Sequence, residues 1–223
     1  PDSLEGEVRR IAAAELAVRD KMPVLAAVYQ SALGQLYHVY DELKDGDGRK
    51  CRTYFSLSVK YPELLAKTSA KGYEPLLVPG MDSYVFNNDL LHVLGLAAGE
   101  YDLLYRYYEK VGNRRAACLL ARLMLEETET NFADSVNEQK EEEDTCKFDE
   151  LPIVRKLDSL MNVYADLPEV AELAIYRYSL MFGSEKVKKS EVLKYIDYAL
   201  SKWGSWKRMN VLRNALKTAS NPT

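Results

Sequence analysis

The sequence predicts an all-α protein whose helices form antiparallel hairpins stacked into a solenoid. Three observations carry this prediction. Apolar residues recur at helical spacing along most of the 223 residues, turn-forming residues separate these segments, and helix–turn–helix units recur about every forty to fifty residues. The densest stripe lies within 101–111, where residues 101, 104, 105, 108 and 111 are Tyr, Leu or Val.

The composition is that of an ordinary globular chain. Hydrophobic residues make up 47% and charged residues 29%, so the chain has enough apolar surface to build a core. The net charge is −4, with both signs mixed along the chain. This argues against a nucleic-acid-binding protein, which needs a basic face to neutralise phosphates. No apolar stretch approaches the length that a bilayer span requires.

Residues 1–81 are predicted to contain helices followed by an irregular connection. The helices are expected over 4–19, from Pro23 to a turn at 45–48, and over 50–61, after which Pro62 restarts the chain. The stretch 72–81 is the least regular, because prolines flank an apolar run that is too short for an independent strand.

Residues 82–223 are predicted to form helical-hairpin repeats, continuous with the first region as one helical domain. A short helix over 88–94 is expected to end near Gly95. Three hairpins follow, pairing 100–111 with 113–127, 151–164 with 168–182, and 190–203 with 205–219. Asp166, Ser190 and Ser205 are the expected N-terminal caps. Because the strict tetratricopeptide (TPR) signature is absent, the fold is predicted as TPR-like.

The helix predicted over 113–127 carries two distinct faces. Residues 116, 119, 120, 123 and 124 form an apolar stripe, which we expect to be core. A separate face gathers the charged residues Arg115, Arg122, Glu126 and Glu129.

Residues 137–144 carry an acidic run, Asn-Glu-Gln-Lys-Glu-Glu-Glu-Asp. Because like charges repel one another and stay solvated, the run is predicted to be an exposed loop between hairpins. A calcium-binding loop is the alternative, although the run lacks the ligand spacing and the glycine of an EF-hand.

The three cysteines show no Cys-x-x-Cys spacing. Cys118 lies in an apolar run and is predicted to be a small buried hydrophobe. A disulfide between Cys51 and Cys146 is an open alternative if the compartment is oxidising.

No catalytic, cofactor-binding or metal-binding residue is predicted. His38 and His92 have no second ligand at helical spacing, and each is expected to lie at the surface or to be half-buried. Phosphate-loop, dinucleotide and nucleophile-elbow motifs are absent. The segment 203–206, with a tryptophan at each end, fits a clamp between helices better than a sugar-stacking platform. The chain is therefore expected not to be an enzyme.

Four stretches carry a resemblance to a known family. They are Asp-Ser-Tyr-Val-Phe-Asn-Asn-Asp-Leu-Leu-His-Val-Leu-Gly at 82–95, Tyr-Asp-Leu-Leu-Tyr-Arg-Tyr-Tyr at 101–108, Gly-Asn-Arg-Arg-Ala-Ala at 112–117 and Trp-Gly-Ser-Trp-Lys-Arg-Met-Asn-Val-Leu-Arg-Asn-Ala at 203–215. The first three resemble the helical N-terminal region of large alpha-2-macroglobulin-like proteins from Bacteroidetes bacteria. The fourth looks like the junction at which those proteins pass into their β-sandwich domains.

The resemblance implies an exported cell-envelope protein, lipid-anchored through a segment outside this fragment, whose later domains trap or inhibit proteases. The implied partners are the neighbouring macroglobulin-type domains of the parent chain or another protein. No active residue carries over, because the thioester motif Cys-Gly-Glu-Gln is absent and Glu138-Gln139 follow Val136-Asn137.

The leading functional hypothesis is a non-catalytic helical scaffold or docking module of such a protein. An intracellular TPR-like adaptor that binds a peptide in a concave groove is the alternative, and a helical enzyme is the third hypothesis. In a solenoid, the first helices of successive hairpins line the concave face. Their residues off the apolar stripes are therefore the candidate interaction surface: Arg106, Tyr107, Arg155, Lys156, Lys194 and Tyr198. An ordinary solvated face is the competing interpretation.

Overall fold

A computed structural model describes residues 3–44, 46–74, 76–135 and 146–220. Over these ranges the regular secondary structure is helical, with eleven α-helices, short 3-10 turns and no strand. The all-α prediction is confirmed. The chain forms two compact units, Pro1–Asn113 and Arg114–Thr223. The predicted organisation into 1–81 and 82–223 stays a prediction, and the acidic run at 137–144 lies outside the described residues.

The first unit contains six α-helices within its described residues. They are α1 (Leu4–Val18), α2 (Pro23–Lys44), α3 (Arg49–Ser58), α4 (Pro62–Ala66), α5 (Leu90–Ala97) and α6 (Tyr101–Lys110). Prolines occupy the first positions of α2 and α4, where the missing N–H has no intrahelical partner to lose. Helix α2 packs against α1, α3 and α5, and α5 also contacts α4 and α6. The helix boundaries predicted for this unit agree with the observed ones to within a few residues.

Gly95 does not end the short helix α5, contrary to the prediction. The helix continues to Ala97, and the chain turns at Gly99, where φ is +68°. A Cβ atom on Gly95 would lie 2.5 Å from Cδ2 of Leu104. The glycine is therefore explained by the close approach of α6 to α5, which the sequence pattern alone does not distinguish from a helix stop.

The second unit contains five α-helices within its described residues. They are α7 (Arg114–Ser135), α8 (Pro152–Val163), α9 (Val170–Gly183), α10 (Lys189–Trp203) and α11 (Asn210–Ser220). Helix α9 packs against α7, α8 and α10, and α11 packs against α10. The half-buried Trp203 and Trp206 pack against the core formed by α9, α10 and α11, as the clamp interpretation expects.

The helix caps of the second unit differ from those predicted. Asp166 does not cap α9, because its carboxylate instead accepts from the guanidinium of Arg114 at 2.7 Å. Helix α10 starts one residue before Ser190, and Glu191 closes its first turn by accepting from the backbone N–H of Lys188. At Asp166 a long-range ion pair thus replaces the predicted cap, whereas α10 keeps a local cap that starts one residue earlier and uses Glu191.

Replacing Leu120 with alanine is expected to lower the free energy of unfolding of the second unit by about 2–5 kcal/mol. Leu120 is fully buried on the apolar stripe of α7, so the truncation leaves a cavity among well-packed neighbours. Denaturant unfolding followed by circular dichroism measures the loss. Val163→Ala, at a position that is 55% exposed, serves as the control, and equal unfolding of the two variants would contradict the assignment of the stripe to the core.

Along the described ranges, no helix combines the length and the apolarity of a membrane span.

Candidate functional site

Two of the six predicted surface residues lie on α6 in the first unit. Arg106 is exposed and pairs with Asp102 one turn earlier, with 2.6 Å between Nη2 and Oδ2. Tyr107 is half-buried, with its ring edge-on to Tyr108 at a centroid distance of 5.3 Å. Both residues are therefore engaged within their own helix.

The other four lie on α8 and α10 in the second unit. Arg155 and Lys156 are exposed on α8, and Lys194 and Tyr198 are exposed on α10. Lys194 and Tyr198 are four residues apart, which puts them on one face of α10. The structure thus supplies neighbouring helices on which part of the predicted surface lies.

Arg177 on α9 links α8 to α10. Its Nε donates to Oδ1 of Asp158 on α8 at 2.8 Å, and its guanidinium lies 5.1 Å from the centroid of the Tyr195 ring on α10. Arg155 is one turn before Asp158 and therefore lies on the side of α8 that faces Arg177. Tyr198 is one turn after Tyr195 and therefore lies on the side of α10 that faces Arg177.

Lys156 lies on a different face from the other three residues of this unit. It is two residues from Asp158, and positions two apart on a helix do not face the same way. Helical spacing therefore groups Arg155, Lys194 and Tyr198 as the candidate surface and sets Lys156 apart from it.

Lys202 and Trp203 extend this surface at the end of α10. The ammonium of Lys202 donates to the Tyr198 hydroxyl at 3.0 Å and lies 5.3 Å and 5.4 Å from the ring centroids of Tyr198 and Trp203. The rings of Tyr198 and Trp203 meet edge-to-face at 5.8 Å. Sequence reasoning missed Lys202, although its position four residues after Tyr198 could have revealed it. We call Arg155, Lys194, Tyr198 and Lys202 the α8–α10 face.

The cations of the α8–α10 face differ from the arginines elsewhere in the unit. Within the described residues, Arg155, Lys194 and Lys202 make no ion pair with a carboxylate. Five arginines of the same unit do form such pairs: Arg114, Arg115, Arg122, Arg177 and Arg208. Among the described residues, no carboxylate therefore pairs with the cations of this face, which lie beside aromatic surface.

No family model, curated protein or solved structure matches this chain. The resemblance to macroglobulin-like proteins therefore rests on the residue patterns quoted above.

A ladder of polar contacts between α7 and α9 was not foreseen. The charged residues of α7 predicted to share one face do so, and that face packs against α9. Arg115 donates to buried Glu169, Arg122 to buried Glu172, and Glu129 accepts from the Tyr176 hydroxyl. The sequence identified one side of this ladder but not its partner, since the two sides are about fifty residues apart.

Glu172 is the centre of this ladder. It is 2% exposed and binds the guanidinium groups of Arg122 and Arg208 on its two sides. The indole Nε1 of Trp206 donates to its Oε1 at 2.6 Å. The carboxylate thus ties α7, α9 and the turn before α11 together, which is a structural use of charge.

A second buried polar cluster surrounds Asp89 in the first unit. Its Oδ1 accepts from the backbone N–H of His92 at 2.9 Å and lies 2.8 Å from the ring Nδ1 of His92. Its Oδ2 accepts from the Tyr108 hydroxyl at 2.7 Å. Burial and the neighbouring charge of Asp89 raise the pKa of Tyr108, so the hydroxyl stays protonated as a donor.

The histidines differ from one another in burial. His38 is exposed and lies 3.3 Å from Glu42, as expected. His92 is only 2% exposed and stacks on Phe86 at 4.8 Å, so the expectation of a surface or half-buried residue was wrong. The reason is the cap at Asp89, which gives the ring a buried polar partner. Among the described residues, no three His, Cys, Asp or Glu side chains converge as a metal site would require.

Cys51 and Cys118 are free thiols in this structure. Cys118 is fully buried, as predicted. Burial, together with the charges of Glu169 and Glu172, raises the pKa of its thiol to about 12, which keeps it unreactive.

The stability of the first unit is expected to depend on the ionisation of Glu15. Burial alone would raise the pKa of this carboxyl, but hydrogen bonds from Arg19 and Gln30 and the charge of Arg19 outweigh it, so the pKa is lowered. A folded-state pKa below the unfolded value of about 4.3 means that the stabilisation is complete above that value. It is lost as the pH falls through the lower, folded-state pKa.

Unfolding titrations from about pH 6 to about pH 3 measure this dependence. Glu15→Gln, which cannot titrate, should lose less stability over the range than the unaltered protein. Glu74→Gln, at an exposed position, should behave like the unaltered protein. Parallel pH profiles for all three proteins would contradict the role given to Glu15.

Proposed function

We propose that this chain is a non-catalytic helical interaction module of a large macroglobulin-like cell-envelope protein, and that the module holds its partner on the α8–α10 face. The observation that carries the proposal is that Arg155, Lys194 and Lys202 form no ion pair with a carboxylate among the described residues, with Lys202 against the rings of Tyr198 and Trp203. Arginine and aromatic side chains are enriched where protein partners bind most strongly. The partner that fits the resemblance is a neighbouring macroglobulin-type domain.

The proposed arrangement is a TPR-like solenoid of hairpins. The packing of α9 against both α8 and α10, and of α10 against α11, supports it, because each unit of a solenoid contacts its neighbours in the chain. In such a solenoid, α8 and α10 are the first helices of successive hairpins. Their shared surface is then the concave face, where a partner is bound.

The contacts of Arg177 order the candidate surface in the absence of a partner, so that binding would need little rearrangement. Arg177 is only 14% exposed, and besides Asp158 it binds Asp149 through Nη2 at 2.8 Å. These contacts hold α8 and the turn before it against α9, and the contact of Arg177 with the Tyr195 ring adds α10. A pre-ordered surface loses less conformational entropy on association.

The reading frame that encodes the chain tests the proposed setting directly. We expect a long frame with a lipoprotein signal before these residues and β-sandwich domains after them. A short frame that encodes only a helical protein without an export signal would overturn the macroglobulin setting and favour the intracellular adaptor instead.

A further inference from the structure

A cleft in the first unit lies between the end of α1, the N-terminal half of α2, the end of α3 and α4. Its volume is about 110 Å³. Half of the residues that line it are aliphatic: Pro23, Ala26, Ala27, Leu57, Leu64 and Leu65. Leu64 and Tyr61 remain 39% and 52% exposed at this cleft. Ligand sites are typically concave and mostly apolar, with few fixed polar groups.

One polar group of the cleft is held in a fixed position. The guanidinium of Arg19 donates to the fully buried Glu15 through Nε at 2.6 Å and through Nη2 at 2.7 Å. Gln30, itself buried, donates to the same carboxylate at 2.8 Å. These bonds occupy one edge of the guanidinium, and its Nη1 has no acceptor within the described residues.

Lys60 supplies a second cation to the cleft. Its ammonium lies 5.4 Å from the centroid of the Tyr61 ring and forms no ion pair within the described ranges. Asp20 is the one carboxylate that lines the cleft itself, whereas Glu15 faces the inner edge of Arg19. The donors that remain free are thus cationic, and they can bind a carboxylate of a ligand.

We propose that this cleft binds an aliphatic carboxylate. A short apolar chain would lie against the wall formed by α2, α3 and α4, and its carboxylate would accept from Arg19 and Lys60. The C-terminal residue of a polypeptide ending in an aliphatic side chain supplies this chemistry, and so does a short free fatty acid. The site belongs to the first unit and does not depend on the function proposed for the α8–α10 face.

Titration of the full chain with small probes, followed by amide chemical shifts in NMR spectra, tests the site. N-acetylleucine represents a polypeptide C-terminus, hexanoate a free fatty acid, and N-acetylleucinamide lacks the carboxylate. Given the size of the cleft, dissociation constants on the order of millimolar are expected. Shifts centred on Gln30 and Leu64 with N-acetylleucine alone assign the site to polypeptide termini, and shifts with hexanoate extend it to free acids.

The carboxylate requirement makes the proposal refutable. N-acetylleucinamide should bind at least tenfold more weakly than N-acetylleucine. Equal binding of the two probes, or no shift at the cleft with either carboxylate, overturns the proposal.

Substitutions of cleft residues that do not contact buried Glu15 test whether the probes bind in the cleft. Lys60→Gln and Leu64→Gln should each weaken binding several-fold, whereas Lys67→Gln, at an exposed position of the same segment, should not. Arg19 is left unaltered because buried Glu15 depends on it. Thermal melts establish that each variant is folded, and equal weakening by Lys60→Gln and Lys67→Gln would contradict the site.

Discussion

Replacing Asp89 with alanine is expected to lower the free energy of unfolding by about 3–7 kcal/mol. The change removes the cap of α5, which is worth about 1 kcal/mol. It also leaves the Tyr108 hydroxyl and the His92 ring nitrogen buried without their acceptor. Each buried group deprived of its partner costs about 1–3 kcal/mol. Urea unfolding monitored by circular dichroism measures the sum.

Two further substitutions make the Asp89 prediction specific. Asp102→Ala removes an exposed pair with Arg106 and should cost less than about 1 kcal/mol. Asp89→Asn keeps an oxygen that can cap the helix but loses the charge. Its cost in stability should therefore fall between that of Asp89→Ala and that of Asp102→Ala. If Asp89→Ala unfolded as Asp102→Ala does, the buried cluster would not stabilise the first unit.

Replacing Glu172 with alanine is expected to cost about 3 kcal/mol. Breaking a buried ion pair by removing one partner typically costs about 3–5 kcal/mol, because the remaining charge is left uncompensated. The lower end of that range applies here, since the side chains of Arg122 and Arg208 are each 28% exposed and can be partly hydrated. The indole of Trp206 loses its acceptor as well.

The comparison for Glu172 is Glu185→Ala. Glu185 is exposed in the connection between α9 and α10, and its removal should change stability by less than about 0.5 kcal/mol. Tryptophan fluorescence during denaturant unfolding reports on Trp203 and Trp206 near the ladder. Equal midpoints for Glu172→Ala and Glu185→Ala would mean that the ladder between α7 and α9 does not stabilise the unit.

Helix positions were predictable because they depend on local pattern. The apolar stripe of α7, the prolines that begin α2 and α4, and the turns between hairpins all act over a few residues. Gly95 shows where the local pattern is insufficient. A glycine near the end of a periodic segment usually marks a stop, and only the contact with Leu104 shows that it serves close packing.

The buried carboxylates could not be predicted from the sequence in the same way. Glu172 sits in a run of α9 whose neighbours are apolar, and its partners lie 50 residues before it and 36 residues after it. Asp89 was recognisable as a polar residue before an apolar run, but its link to Tyr108 spans 19 residues. Pairing over such separations is determined by the packing of helices, which a single sequence does not specify.

For the candidate surface, the sequence predicts which residues are exposed but not which of them are neighbours. Helical spacing separates residues on an apolar stripe from those off it, so the exposure of Arg155, Lys194 and Tyr198 followed from the sequence. The spacing does not tell which exposed residues of different helices become neighbours. Arg177 contacts both Asp158 on α8 and Tyr195 on α10, and Lys156 lies on a different face of α8 from Asp158.

Isothermal titration of this chain with the macroglobulin-type domains proposed as its partner tests the central claim most directly. We expect saturable, salt-sensitive binding, because cations on the α8–α10 face contribute to it. Lys194→Glu combined with Lys202→Glu should weaken the binding at least tenfold, whereas Lys67→Glu combined with Lys71→Glu, an equal change of charge at exposed positions, should leave it unchanged. An absence of binding, or equal affinities for the two double variants, would contradict the account.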